Sequence, residues 1–323
     1  MKFLQLLNMR IVSFLPSATE TLYELGAGSQ LVGVTHECKY PPQASKKPQV
    51  IRSSFDPGHM TARDIDNKIV ELMRTGKDIY VVDENTLKRV CPDLIVAQGL
   101  CEVCSPFTKE INRAVELLGD HHRPDVLVLD PHDLDDILVS IMDVAEKIGK
   151  VREGRKLVAS LQNRIDTVRS MTLKLKLRPK VLCVEWIDPL FTAGHWVPQM
   201  VEYAGGINGL SSTGEPSRRM DIDEAVQLDP DIIVLMPCGF DIEQTLRELP
   251  VLASNEKWKS LRAVKNGDVY AVNANAYFSK PGPRSVTGLE IIAKILHPEE
   301  ETSRYIKVPK SSYKKVVHAK LLG

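Results

Sequence analysis

The sequence predicts an α/β protein of two similar lobes joined by one long helix, with a ligand cleft between the lobes. Three observations carry this. Short apolar strands alternate with helical stretches along the chain. Two separated segments look like copies of each other. The longest run of helical periodicity, Val151 to Leu173, lies between them.

Taken in order, Ile11-Val12-Ser13-Phe14-Leu15 reads as a strand and Ser17-Ala18-Thr19-Glu20 opens a helix. Ser17 with Glu20 three residues later fits a capping box, and Gly26 supplies the stop. Leu31 to Val34 is the next strand, and Tyr40-Pro41-Pro42 breaks the chain after it. Further strands fall at Ile79–Val82, Leu94–Ala97 and Val126–Leu129. Arg89-Val90-Cys91-Pro92-Asp93-Leu94-Ile95-Val96 parallels Gln227-Leu228-Asp229-Pro230-Asp231-Ile232-Ile233-Val234: each is a helix end, a Pro-Asp turn and a buried strand. Between the copies, Leu157, Val158, Leu161, Ile165 and Val168 recur at helical spacing. A helix of that length spans about 35 Å, enough to bridge two lobes. Pro179 ends it, and Lys180 to Val184 starts the second lobe. The resulting division is an N-terminal lobe over residues 9–130, a helical linker over 131–178, a C-terminal lobe over 179–298 and a basic tail over 299–323.

Composition narrows the class. With 323 residues, 43% hydrophobic and 26% charged, the chain is neither disordered nor a disulfide scaffold. Forty-two basic and forty-two acidic residues cancel, so no nucleic-acid surface is expected. The balance hides a basic end: Arg304, Lys307, Lys310, Lys314, Lys315 and Lys320 face no acid after residue 303. That tail is expected to be solvated and partly disordered. No apolar run approaches the ~18 residues of a membrane span. The start, Met1 to Asn8, is too short for an export signal with a cleavage site, and six cysteines suit a reducing compartment, so a cytoplasmic location is expected.

In an open α/β sheet, ligands bind beyond the carboxyl ends of the strands. The polar residues there are His36, Glu37 and Cys38, then Gln98, Cys101 and Cys104 in the first lobe. The second offers Glu185, Trp186, His195, Trp196, Arg218, Arg219, Cys238, Tyr277 and Arg284. The Cys-x-x-Cys at 101–104, with Cys38 and His36, has the ligand types of a zinc or iron–sulfur site, and the same motif suits a redox dithiol; the bland alternative is buried free thiols. His195 sits in Gly-His-Trp-Val-Pro, a loop composition rather than a core one. Arg218-Arg219 suits bidentate grip of a carboxylate or phosphate, and equally a solvated helix entrance. Asp130-Pro131-His132-Asp133 reads as the cap of the following helix. No Ser-His-Asp order, Walker loop or dinucleotide fingerprint stands out.

The pieces Ile11 to Glu20, Leu31-Val32-Gly33-Val34, Tyr40-Pro41-Pro42, Pro189 to Gly194, Gly205-Gly206, Pro230 to Val234 and Pro283-Arg284 resemble the cobalamin-binding periplasmic proteins of ABC importers. The resemblance runs in order over roughly residues 10–297, with an insertion around 56–78. More narrowly, His36-Glu37-Cys38, Cys101-Glu102-Val103-Cys104, Gly194 to Pro198 and Met236 to Gly239 look like an intracellular-looking subgroup of it. The resemblance implies two lobes on one long helix, with a corrinoid between them. The aromatic side chains with which that family clamps its corrinoid are replaced at the matching positions by Glu37, Gln98, Glu185 and Ser217, and Tyr277 alone is kept. The family docks its transporter through one acid per lobe. Here the second lobe offers Asp223 at that place and the first offers Asn85 beside Glu84, and docking is not expected without an export signal.

Two readings follow. The first is a ligand-binding protein that holds a corrinoid or other metal chelate, with His36, His195 or a cysteine as axial ligand and Trp186, Trp196 and Tyr277 as walls. The alternative is a metal- or thiol-dependent enzyme or carrier working through Cys38, Cys101, Cys104 and Cys238, with Glu37 or Glu185 as acid/base. The first is the reading adopted.

Overall fold

A computed structural model describes residues 8–99, 108–119, 122–298, 305–317 and 319–322. The chain divides into two compact units. The first runs to Leu161, except that Met60–Asp66 and His132–Leu134 belong to the second, which continues from Gln162.

The first unit is built on a six-stranded sheet. Its strands are β1 (Ile11–Ser13), β2 (Leu31–Thr35), β3 (Gln49–Ser53), β4 (Tyr80–Val82), β5 (Leu94–Gln98) and β6 (Asp125–Leu129), in the order β4-β3-β2-β1-β5-β6. All neighbours are parallel except β3 and β4. The central strands β1 and β5 are buried throughout, as near-continuous apolar runs in a parallel sheet require. Core side chains fill the sheet's surroundings in two clusters, one around Ile11, Leu15, Leu22 and Leu94, the other around Phe14, Ile51, Leu87 and Ile95.

The helices are α1 (Pro16–Glu24), α2 (Ala62–Arg74), α3 (Glu84–Val90), α4 (Thr108–Leu118), α5 (Leu134–Lys147) and α6 (Val151–Thr172). Helix α1 starts one residue before the expected capping box. Leu15 is its N-cap, Pro16 stands in the first turn, and Ser17 and Glu20 are buried in the unit. Proline presets the helical φ and has no N–H to satisfy, so the helix begins there without a polar cap. Gly26, at φ 71°, ends it as expected.

The second unit has the sheet order β10-β8-β7-β11-β12-β13. Its strands are β7 (Lys180–Trp186), β8 (Phe191–Thr192), β9 (Ile207–Asn208), β10 (Arg218–Arg219), β11 (Ile232–Leu235), β12 (Val269–Val272) and β13 (Tyr313–Lys315). Strands β7, β11 and β12 run parallel, and β9 pairs with the start of β7. The helices are α7 (Val197–Tyr203), α8 (Ile222–Leu228), α9 (Ile242–Ala253), α10 (Glu256–Ser260), α11 (Arg262–Asn266), α12 (Ala274–Tyr277), α13 (Ser285–Leu296) and α14 (Ala319–Leu322).

The two sequence copies prove to be one motif used twice. Helices α3 and α8 end at left-handed residues, Cys91 (φ 41°) and Asp229 (φ 45°), and a Pro-Asp turn leads each into its strand. Asp93 Oδ2 accepts the Arg10 N–H at 2.7 Å, and Asp231 Oδ2 accepts the Lys180 N–H at 2.8 Å. Each aspartate's own N–H bonds back to the same residue's carbonyl, at 2.8 and 2.9 Å. The carboxylates thus set the register of Leu94 on Ile11 and of Ile232 on Val181. Asp93→Ala and Asp231→Ala are each expected to cost about 1 kcal/mol. Asp231→Ala should cost more, because Asp231 also pairs with Arg262 at 2.7 Å. Urea unfolding of both variants checks this.

The basic tail corrects an expectation. Strand β13 pairs antiparallel with β12, and Ile306, Ser312, Val316 and Leu321 are buried. The apolar residues between the lysines carry the chain end into the core, while Lys315 pairs outward with Asp268 at 2.9 Å. Lysines along an edge strand also discourage pairing with other chains.

Candidate functional site

In the first unit the strand order reverses at β1, and the carboxyl ends of β1, β2 and β5 open to the side where α/β sheets bind ligands. Strand β2 ends in the turn His36-Glu37-Cys38. The His36 N–H donates to Ile51 O at 3.1 Å, and the Glu37 N–H to Thr35 Oγ1 at 3.2 Å. His36 Nε2 lies 4.0 Å from Glu37 Oε1, and its buried Nδ1 has no hydrogen-bond partner among the described residues. Cys38 turns the other way. It is 1% exposed in the core, its Sγ 3.1 Å from Thr19 Oγ1 and 3.3 Å from Thr35 Oγ1. It therefore packs as a buried thiol. Gln98, at the end of β5, is 6% exposed. Cys101 and Cys104 lie outside the described residues.

In the second unit β7 ends at Glu185 and Trp186. Glu185 Oε2 accepts the Gly194 N–H at 3.4 Å, and its carbonyl accepts the Cys238 N–H at 3.0 Å. Trp186 stands edge-on to Phe240, ring centroids 5.2 Å apart. The loop after β8 holds His195 at φ 53°, a conformation that costs a non-glycine residue free energy and persists only where surroundings impose it. Two backbone bonds impose it here: the His195 N–H donates to Glu215 O at 2.6 Å, and its carbonyl accepts the Gly214 N–H at 3.0 Å. The His195 ring stacks on Trp196 at 5.7 Å with planes 28° apart. Trp196 is itself anchored by its indole N–H, which donates to Phe278 O at 2.9 Å.

The His195 ring lies 6.2 Å from that of His132, whose sequence context reads as the cap of the following helix. The signal was available: His132 follows the end of β6, the position from which other candidates were collected. Tyr277 carries the Arg284 guanidinium 5.9 Å over its ring.

Arg218 and Arg219 are turned to other work. Arg218 grips Glu224 at 2.7 and 3.2 Å, which raises its own pKa and holds the Glu224 carboxyl below the usual carboxylate range. Arg219 grips Asp66 at 2.9 and 3.1 Å. Both guanidiniums are thus committed to the protein's own carboxylates.

Among the described residues, which do not include Cys101 and Cys104, no cluster of three or more His, Cys, Asp or Glu side chains is arranged to hold a metal ion. Cys183, buried in β7, is pushed up to about 12 by desolvation, with the Glu185 charge adding to it. A thiol held that high stays protonated and unreactive at neutral pH. Alkylation of the native protein is expected to modify the half-buried Cys91 and Cys238 and to spare Cys38 and Cys183. Labelling of Cys183 as fast as Cys238, read by peptide mass spectrometry, would contradict this.

A family model described as periplasmic binding protein matches residues 11–276. The vitamin B12-binding protein of Vibrio cholerae is 23% identical over 294 residues, covering 89% of this chain and 88% of that protein. Among solved structures, the periplasmic heme-binding protein RhuT from Roseiflexus sp. RS-1 in apo form gives a TM-score of 0.64 at 20% identity, covering 90% of this chain and 98% of that one. The periplasmic vitamin B12-binding protein BtuF of Vibrio cholerae gives 0.62 at 21% identity, covering 90% and 97%. At such identities the structural likeness establishes the fold. These matches overturn the cytoplasmic location expected from the sequence, since the family and both solved relatives are periplasmic. That expectation rested on the first residues and on thiol content, neither of which belongs to the fold that the match identifies.

Proposed function

Because the chain belongs to the periplasmic binding protein family, we propose that it is the substrate-binding protein of an ABC importer and that its ligand is a metal-bearing tetrapyrrole, a corrinoid or a heme. The observation that carries this reading is the His195–Trp196 pair. An imidazole pinned in a strained conformation by two backbone bonds is a preorganised axial ligand, and imidazole suits both cobalt and iron. The buried indole of Trp196 backs that ring from within the protein. Relatives of both ligand classes have this fold, the vitamin B12-binding protein and the heme-binding protein RhuT among them.

Transporter docking enters the proposal through Glu84 and Asp223, which stand in the first turns of the repeated helices α3 and α8. Each is partly exposed and paired with a basic residue, Glu84 with Arg113 at 2.5 Å and Asp223 with Lys257 at 2.6 Å. No helix among the described residues is long and apolar enough to cross a membrane. Thiol chemistry gains nothing from Cys38, whose sulfur faces the core.

Parallel absorbance titrations with hydroxocobalamin and with hemin test the reading. One of the two is expected to give a shifted, saturable band with wild type that His195→Asn abolishes. Asparagine tolerates the left-handed backbone and so isolates the loss of the imidazole. Absence of any response to either ligand would overturn the reading.

A further inference from the structure

Going beyond the tetrapyrrole reading, we infer that the loop between α6 and β7, residues 173–178, is a contact surface for a bilayer of anionic lipid. Leu173 and Leu177 enter the headgroup region, and the basic side chains between and after them meet the lipid phosphates. Each leucine is 82% exposed, more than any other large apolar side chain among the described residues. Exposed apolar groups rimmed by charge mark a protein or membrane contact. Ile207 extends the patch: it is 44% exposed, it pairs with Lys180 across β9 and β7, and its N–H donates to Pro179 O at 2.8 Å.

The charge around the leucines has one sign. Between residues 167 and 184 the chain carries Arg169, Lys174, Lys176, Arg178 and Lys180 and no acid. Lys174, Lys176, Arg178 and Lys180 are all exposed. Arg178 donates to Gly206 O at 3.0 Å and Lys180 to Leu228 O at 3.3 Å, which are neutral carbonyls rather than carboxylates. Asp229, whose carboxyl feels the Lys180 charge, is already gripped by Arg262 at 2.8 Å. The loop is also held at both ends. Thr172 Oγ1 donates to Tyr203 O at 2.7 Å just before it, and Pro179 is tied to Ile207 just after it.

The side-chain types select lipid over other anionic partners. Single-stranded nucleic acid is held by basic grooves with aromatic rings for the bases, whereas this loop alternates lysine with leucine and has no aromatic residue. A stable protein interface takes about 20–30 residues a side, far more than one such loop supplies. A bilayer needs no shaped pocket: aliphatic side chains enter its surface while neighbouring lysines stay at the level of the phosphates. The loop leads into the first residue of β7, whereas Glu185 and Trp186 end that strand. Lipid at the loop therefore leaves the ligand end of the strand uncovered.

The test is co-sedimentation of full-length protein with vesicles of phosphatidylcholine, with and without phosphatidylglycerol. Binding is expected only where phosphatidylglycerol is present, and it should be lost at high salt. Each lysine near an anionic surface is worth about fivefold in affinity, so the double variant Lys174→Gln, Lys176→Gln should bind about 25-fold more weakly. The double variant Leu173→Ser, Leu177→Ser, with its charges intact, should lose at least about tenfold on the same vesicles. Both variants change exposed side chains and should melt as wild type does. No binding of wild type to the anionic vesicles, equal binding to neutral ones, or a lysine variant that binds as wild type would overturn the inference. So would full retention by the leucine variant, which would make the loop a site for polyanions in general. The hydroxocobalamin and hemin titrations are expected to be the same for both variants as for wild type. Vesicle binding without a tetrapyrrole band removes the tetrapyrrole reading only, and a tetrapyrrole band without vesicle binding removes the lipid contact only.

Discussion

Gly194→Ala is expected to destabilise the second unit by about 3 kcal/mol and to abolish ligand binding. A Cβ at this position would stand 2.5 Å from both Glu215 O and Pro216 C, and closer still to Ser217 N. All three are backbone atoms, so no side chain can swing aside to relieve the clash. Relief must come from separating the 194–196 loop from the 214–217 loop. That separation breaks the His195–Glu215 and Gly214–His195 bonds that hold the histidine in place. The substitution therefore tests stability and site geometry together, by thermal unfolding and by the tetrapyrrole titration. An alanine variant that melts and binds as wild type would show that the loop pair is looser than its contacts require.

Trp258→Ala is expected to be the most damaging single change in the core, at about 3–5 kcal/mol. The side chain is 0% exposed and lies in the cluster that includes Leu249, Leu252, Leu261 and Val264. Trp258→Phe should cost far less, about 1 kcal/mol. Its indole N–H is buried with no partner among the described residues, so phenylalanine gives up some packing but also removes an unsatisfied donor. Chemical denaturation of the two variants decides the point. A phenylalanine variant as unstable as the alanine one would mean that the indole nitrogen does have a partner in solution.

What could be read from the sequence was whatever is local or repeated. The Pro-Asp turns at 92–93 and 230–231 were visible as copies because each motif lies within a few residues, and the structure returns them with matching backbone angles and hydrogen bonds. The long helix was visible for the same reason: its apolar spacing predicts Val151–Leu173, and it spans Val151–Thr172. The misreadings concern partners distant in sequence. Arg218-Arg219 looks like an anion grip until Asp66, from far earlier in the chain, is found to hold Arg219. The approach of His132 to His195 is likewise not legible locally, because only the fold brings the two rings together. The lysines of the tail read as a solvated end, whereas Val316 and Leu321, which decide its fate, are single apolar residues without periodicity. Cys38 was grouped with His36 and Glu37 because they are adjacent, yet a tight turn sends neighbouring side chains in opposite directions.

Strand β13 imposes an order on folding. Every strand of the first sheet lies before Asp130 and the buried residues of its core clusters end at Ile148, so that unit's core can close before the second unit is complete. The second sheet must wait for Tyr313–Lys315 to cover the free edge of β12, and its core for Leu321. Until Tyr313–Lys315 is in place, a folding second unit presents Val269 to Val272 as an unpaired apolar edge, the kind of surface that chaperones bind and that neighbouring chains can pair with.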